Sequence, residues 1–148
     1  MTLEERNGTS PFHAGAENTA FAPSFDGASY LNMLSTEQVP VGCVTFAPGC
    51  RNHWHIHRAA RGGGQILLVT AGRGWYQEWG EAPRALRPGD VVNIPPNVKH
   101  WHGAAVDSAF QHLAVEVPGE GSQNEWCEPV DAAAYRALEA LTGGTDHQ

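Results

Sequence analysis

The chain has 148 residues, 41% of them hydrophobic and 17% charged, which is enough apolar material for one domain with one core and too much for a disordered chain. The formal charge is −7 and no Lys/Arg-rich run occurs, so nucleic acid and anionic membrane surfaces are excluded as expected partners, and a small molecule or a metal ion suits the balance better. Cys43, Cys50 and Cys127 are odd in number and form no CxxC pair, which speaks against a disulfide framework and a Cys-rich zinc site and for reduced thiols in the cytoplasm.

Residues Met1 to Ser10 are polar and carry no apolar signal-peptide core, and no stretch reaches transmembrane length. Residues 1–28 read as an extended arm in which Phe12, Phe21 and Phe25 are spaced by Gly, Pro, Ala and Asn; such an arm needs a surface to pack on, its own barrel or a neighbouring subunit. The rest, 29–148, reads as a single domain. Tyr30 to Leu34 is a first short strand. Val41 to Ala47 follows and stops at Pro48-Gly49. His53 to His57 alternates polar and apolar residues, Gln65 to Thr70 is an apolar run ended by Ala71-Gly72-Arg73-Gly74, and Trp75 to Trp79 alternates again. Turns at Pro88-Gly89-Asp90 and Pro95-Pro96-Asn97 bracket a strand at Val91 to Ile94; Lys99 to His102 and Phe110 to Val117 are the last strands. Pro118 to Asn124 reads as loop. One C-terminal helix is expected over about 131–141, capped by Asp131, with Tyr135, Leu138 and Leu141 on its apolar stripe and a frayed tail from Thr142. Many short strands followed by one helix predict an all-β sandwich or barrel with its core at 40–117.

Six of the eight histidines lie between positions 53 and 112. His53, His55 and His57 share one face of a strand, as do His100 and His102. An inward-facing imidazole is costly unless its ring nitrogens find partners, and one metal ion satisfies several at once. The five tryptophans, Trp54, Trp75, Trp79, Trp101 and Trp126, are expected in the core or at an interface rather than as substrate platforms.

The spacing of these residues resembles the cupin superfamily, whose two motifs read G-x5-H-x-H-x3,4-E-x6-G and G-x5-P-x-G-x2-H-x3-N. Gly49, His55, His57 and Gly72 match the first, with Gln65 at its Glu position; Gly89, Pro95 and His100 match the second, with Asn97 in place of its Gly. The resemblance implies a jelly-roll β-barrel holding one divalent metal ion on His55, His57, Gln65 and His100. It sets His53 and His102 beside the ligands, as pocket wall or as contacts behind them, unless a bulge turns either to solvent. Gln65 stands where the family has Glu, and the preceding segment Arg58 to Gly64 is longer than the pattern, an enlarged loop at the mouth of the site and a candidate lid. An all-neutral donor set leaves a divalent ion its full charge and leaves two positions open in octahedral geometry.

The segment GQILLVTAGRGWYQEWG, with KHWHGA and FQHLAVE after it, is similar to a narrower group of small bacterial cupins that includes manganese-dependent (R)-selective hydroxynitrile lyases. That similarity implies manganese as the preferred ion, with iron, zinc or nickel as alternatives. It implies a later histidine near the metal, here His112, as the base, and Phe110, of the same strand parity, as a pocket residue. The expected function is a lyase cleaving a C–C bond beside a hydroxyl. A cupin dioxygenase, an isomerase or decarboxylase of a small carbonyl compound, and a non-catalytic binding module stay open. The arm and exposed sheet edges predict a homo-oligomer, dimer or tetramer.

Overall fold

Up to residue 126 glycine and proline turns divide the chain into short segments, and the β-branched and aromatic residues between them pair as strands. The computed structural model describes residues 10–142. The expected frayed tail beyond Thr142 and the first nine residues of the arm lie outside them. In chain order the strands are β1 (Ala16–Glu17), β2 (Phe25–Asp26), β3 (Ser29–Ser35), β4 (Val41–Phe46), β5 (Arg51–Asn52), β6 (His55–Arg58), β7 (Arg61–Gly62), β8 (Gln65–Gly72), β9 (Gly74–Glu78), β10 (Arg84–Leu86), β11 (Val91–Ile94), β12 (Lys99–Ala104), β13 (Phe110–Glu116), β14 (Gly119–Glu120) and β15 (Gln123–Trp126). Two short helices follow, α1 (Ala132–Ala137) and α2 (Glu139–Thr142).

Thirteen of the strands form two antiparallel sheets, the jelly-roll arrangement, and β7 and β14 pair as a separate two-stranded sheet. One runs β1-β3-β4-β13-β8-β11; the other runs β10-β9-β12-β5-β2, with β6 laid between β12 and β15. Phe46, Leu67, Val69, Tyr76, Leu86, Val92, Ile94 and Phe110 close one end of the space between the sheets. A second apolar cluster covers the outer face of the β12 sheet: Trp54, Trp75 and Trp101 there meet Val130, Tyr135 and Leu138. Burying these aromatic faces fixes the helix on the sheet, and the Tyr135 hydroxyl donates to the Ala104 carbonyl at 2.6 Å.

Residues 10–28 of the arm pack on the chain's own barrel. β1 pairs with β3, β2 pairs with β5, and the Phe12 carbonyl accepts from Gln111 Nε2 at 3.0 Å. The expected strand His53 to His57 is broken: β5 ends at Asn52 and β6 starts at His55, because the His53 backbone N–H turns away to Ser24 and that of Trp54 to Glu128. The expected loop Pro118 to Asn124 contains β14 and the start of β15. The helix is shorter than expected, interrupted at Leu138; Asp131 caps it, accepting from Ala134 N at 2.9 Å. Leu141 does not belong to the buried stripe and is 58% exposed.

Candidate metal centre

Strand pairing brings the polar residues together. His100 on β12 lies directly opposite His55 on β6, Asn124 on β15 opposite His57, and Glu116 on β13 opposite Gln65 on β8. The rings of His55 and His100 are 4.2 Å apart between centroids, and those of His57 and His100 are 5.1 Å apart. One nitrogen from each of His55, His57 and His100 lies within 4.8 Å of the others.

Each of these rings is held by its other nitrogen. Nδ1–H of His55 donates to the His53 carbonyl at 2.8 Å, that of His100 to the Val98 carbonyl at 2.9 Å, and that of His57 to Asn124 Oδ1 at 2.7 Å. An acceptor at Nδ1 fixes the proton there and leaves the lone pair on Nε2. Burial holds His55 well below the ordinary imidazole range, reinforced by the neighbouring His100, and burial takes His100 down to about 4, so both rings are neutral at physiological pH. Nε2 of His57, Nε2 of His100 and Oε1 of Gln65 are buried without a hydrogen-bond partner. All are lone-pair donors, and a cluster of buried lone pairs with no proton between them is matched by a cation and by little else. His55, His57, Gln65 and His100 therefore fit a divalent metal ion; the ion's identity is not fixed by this donor set.

His55, His57 and Gln65 line the wall of a cavity of about 230 Å³ whose remaining surface is mostly apolar: Phe21, Phe25, Leu31, Met33, Val44, Ala114 and Trp126. His102 and His112 line it too. Both are buried, and burial lowers both, His112 to about 4. His112 Nε2 lies 3.1 Å from His102 Nδ1, so one proton is shared between the two rings. Asn52 Oδ1 accepts from the His102 backbone N–H at 2.9 Å, which turns Asn52 Nδ2 toward the His102 ring, 3.2 Å from its Nε2.

Two expected pocket residues lie elsewhere. His53 falls in the break between β5 and β6, and its Nε2 is 3.5 Å from Asp26 Oδ1 instead of in the cavity. Phe110 faces inward, as its parity requires, but one strand repeat too deep: it packs on Phe46 at 5.7 Å and on His112 at 5.6 Å and fills the closed end beneath the cavity. The 58–64 segment is tied down by the β7–β14 pair and by Arg58 Nε donating to Glu125 Oε1 at 2.9 Å.

Sequence reasoning missed Asn52, Glu116, Asn124 and Trp126. Glu116 carried a signal, since it shares parity with His112 and Ala114. Asn124 and Trp126 carried none, because Gln123 to Trp126 lacks apolar alternation and is held by pairing to β6. Trp126, expected in a core or interface, instead covers His55 with its ring at 4.7 Å and lines the cavity. Trp54, Trp75 and Trp101 are buried outside the barrel, and Trp79 is 57% exposed beneath Lys99 Nζ.

The family described as Cupin domain matches residues 42–116. The (R)-mandelonitrile lyase of Granulicella tundricola is 47% identical over 93 residues, spanning 63% of this chain and 68% of that protein. A cupin-like protein of Thermotoga maritima superimposes with a TM-score of 0.73 at 40% identity, over 85% of this chain and 94% of that one. A DMSP lyase of Ruegeria pomeroyi, 20% identical with a TM-score of 0.57 over 88% of this chain and 61% of its own, shares the fold alone.

Proposed function

We propose, from the premise that this chain belongs to the cupin domain family, that it is a metal-dependent enzyme acting on a small, largely apolar molecule, and that it cleaves a C–C bond beside a hydroxyl, turning a cyanohydrin into an aldehyde and cyanide. The observation that carries this reading is the convergence of the His55, His57 and His100 imidazoles with the unpartnered Gln65 oxygen beside an apolar cavity that also holds His112. The likeness to a protein named (R)-mandelonitrile lyase supports the choice of reaction.

A divalent ion, when bound, would supply Lewis acidity that lowers the proton affinity of a hydroxyl oxygen. His55, His57, Gln65 and His100 would hold it; we take manganese as the preferred ion, with iron, zinc or nickel as alternatives. The apolar wall from Phe25 to Trp126 binds the organic part of the substrate and excludes water from it. His112 accepts the hydroxyl proton. Burial keeps its ring neutral, so a lone pair is available throughout the physiological range, and His102 at 3.1 Å takes up part of the charge. The oxygen's electron pair closes the carbonyl while the C–C pair leaves with cyanide.

We also take the chain to work in the cytoplasm as a homo-oligomer, dimer or tetramer. The half-exposed Met33 and Leu34 on β3 and Val91 on the edge strand β11 support an assembly, as they are apolar residues left exposed on one sheet. Among the described residues no helix is long and apolar enough to cross a membrane.

The test combines metal analysis with an assay of aldehyde release from mandelonitrile. The manganese-loaded protein releases aldehyde, and His112→Ala keeps its metal while losing about 10²–10⁴-fold in turnover, the usual share of general acid–base catalysis. Failure to take up any divalent metal would refute the reading, as would oxygen uptake with iron and no aldehyde release.

A further inference from the structure

Gln65 presents an amide, and an amide has two chemically opposite ends. With Oε1 toward the imidazole lone pairs it can hold a cation; with Nε2 there it repels one. Nothing within Gln65 chooses between these orientations. The choice is made on its other side, where Nε2 donates to Glu116 Oε1 at 2.5 Å while Oε1 stays buried and without a hydrogen-bond partner. A carboxylate can only accept, so it admits the NH₂ end and rejects the oxygen end. Glu116 is itself held, directly opposite Gln65 in the β8–β13 register, with its backbone N–H on the Pro40 carbonyl at 3.1 Å. It takes part in none of the ion pairs between described side chains, so its charge is directed at the amide.

We propose that Glu116 is a positioning residue that locks the Gln65 amide with its oxygen toward the metal position and, through that hydrogen bond, strengthens the oxygen as a ligand. The inference rests on the reading of Gln65 as a metal ligand. It also returns to the site the negative charge that a glutamine ligand lacks, one hydrogen bond removed from the ion, where it orients the ligand without occupying a coordination position.

The test is manganese(II) affinity, measured by calorimetry on the full chain stripped of metal, with the cobalt(II) absorption spectrum as a second readout. Glu116→Gln can still accept from Nε2 but can also donate and carries no charge, so it should bind more weakly than wild type and more tightly than Glu116→Leu. Glu116→Leu removes the acceptor and should weaken binding by about 10–100-fold, the usual effect of losing a partner behind a ligand. Glu116→Lys, donor only, turns the amide around and should weaken it further. Melting of the metal-free proteins shows that each variant is folded, and Glu116→Leu carries the test if Glu116→Lys is not. If Glu116→Leu binds and absorbs like wild type while Gln65→Leu loses affinity, the role of Glu116 is overturned and the ligand stands. If Gln65→Leu also binds like wild type, the ligand reading itself falls.

Discussion

Asn124 offers the sharpest perturbation of the centre. His55 and His100 are oriented by main-chain carbonyls, which no substitution can delete, whereas His57 depends on a side chain, Asn124 Oδ1 at 2.7 Å. Asn124→Leu removes that acceptor and leaves a polar ring N–H facing a methyl group. The unpaired N–H costs about 1–3 kcal/mol, and loss of orientation behind a histidine ligand costs about 10–100-fold in metal affinity, or about 1.4–2.8 kcal/mol. The two estimates agree. The backbone pairing of β15 to β6 does not use the side chain, so the strand stays in place. Asn124→Asp keeps an acceptor and should retain affinity. Manganese titration of the metal-free proteins, with circular dichroism to show retained strand content, gives the comparison. Equal affinity for Asn124→Leu and wild type would refute the idea that the Nδ1 partner fixes the His57 lone pair.

Other outcomes follow from the same geometry. His112 is buried and held at about 4, below the value of about 6.5 for an unfolded chain, with His102 as its titratable neighbour. Both states are neutral above pH 6.5; as pH falls from there toward 4 the unfolded chain takes up a proton that the folded one refuses, so stability drops. The melting temperature of the metal-free protein should therefore fall across that window, and fall less in His112→Gln; a constant offset between the two would contradict the assignment. Gly64→Ala should lower the melting temperature, because φ is +93° and a Cβ would run into the Ile94 carbonyl; the left-handed conformation alone costs about 1–2 kcal/mol. It should weaken manganese binding as well, being next to Gln65. Tyr135→Phe should cost about 1 kcal/mol through its lost bond to Ala104, seen by thermal melting, and leave manganese affinity unchanged, since that contact lies on the outside of the barrel.

The parts of the site legible in the sequence were those carried by local spacing. His55, His57 and His100 stand at motif distances from glycines, and those glycines are there because turns require them: Gly49, Gly72 and Gly89 all have positive φ. The strands at Val41–Phe46, Gln65–Gly72, Gly74–Glu78, Val91–Ile94, Lys99–Ala104 and Phe110–Glu116 followed the pattern of apolar residues and turns. The illegible parts depend on contacts distant in sequence. His53 shares parity with His55 on paper, yet two backbone N–H groups drawn to Ser24 and Glu128 interrupt the ladder and turn it outward. Phe110 shares parity with His112, but parity says which face a residue takes and not how deep in the barrel it sits. Asn124 is separated from His57 by 67 positions, and no pattern within Gln123 to Trp126 announces the pairing. The same holds for the buried thiols: Cys43 and Cys50 are free, and burial raises them to about 11 and about 12, which makes them inert packing groups.

The strand Gln123–Trp126 has a bearing on how the protein is made. His55, His57, Gln65 and His100 have all left the ribosome before Asn124 and Trp126, and a chain is synthesised from its N-terminus. During that interval the histidines exist without the acceptor that fixes His57 and without the indole that covers His55. An ion held by these four residues would thus be captured tightly only once β15 docks, so its choice would fall to the folded molecule and not to the loose imidazoles of a nascent chain.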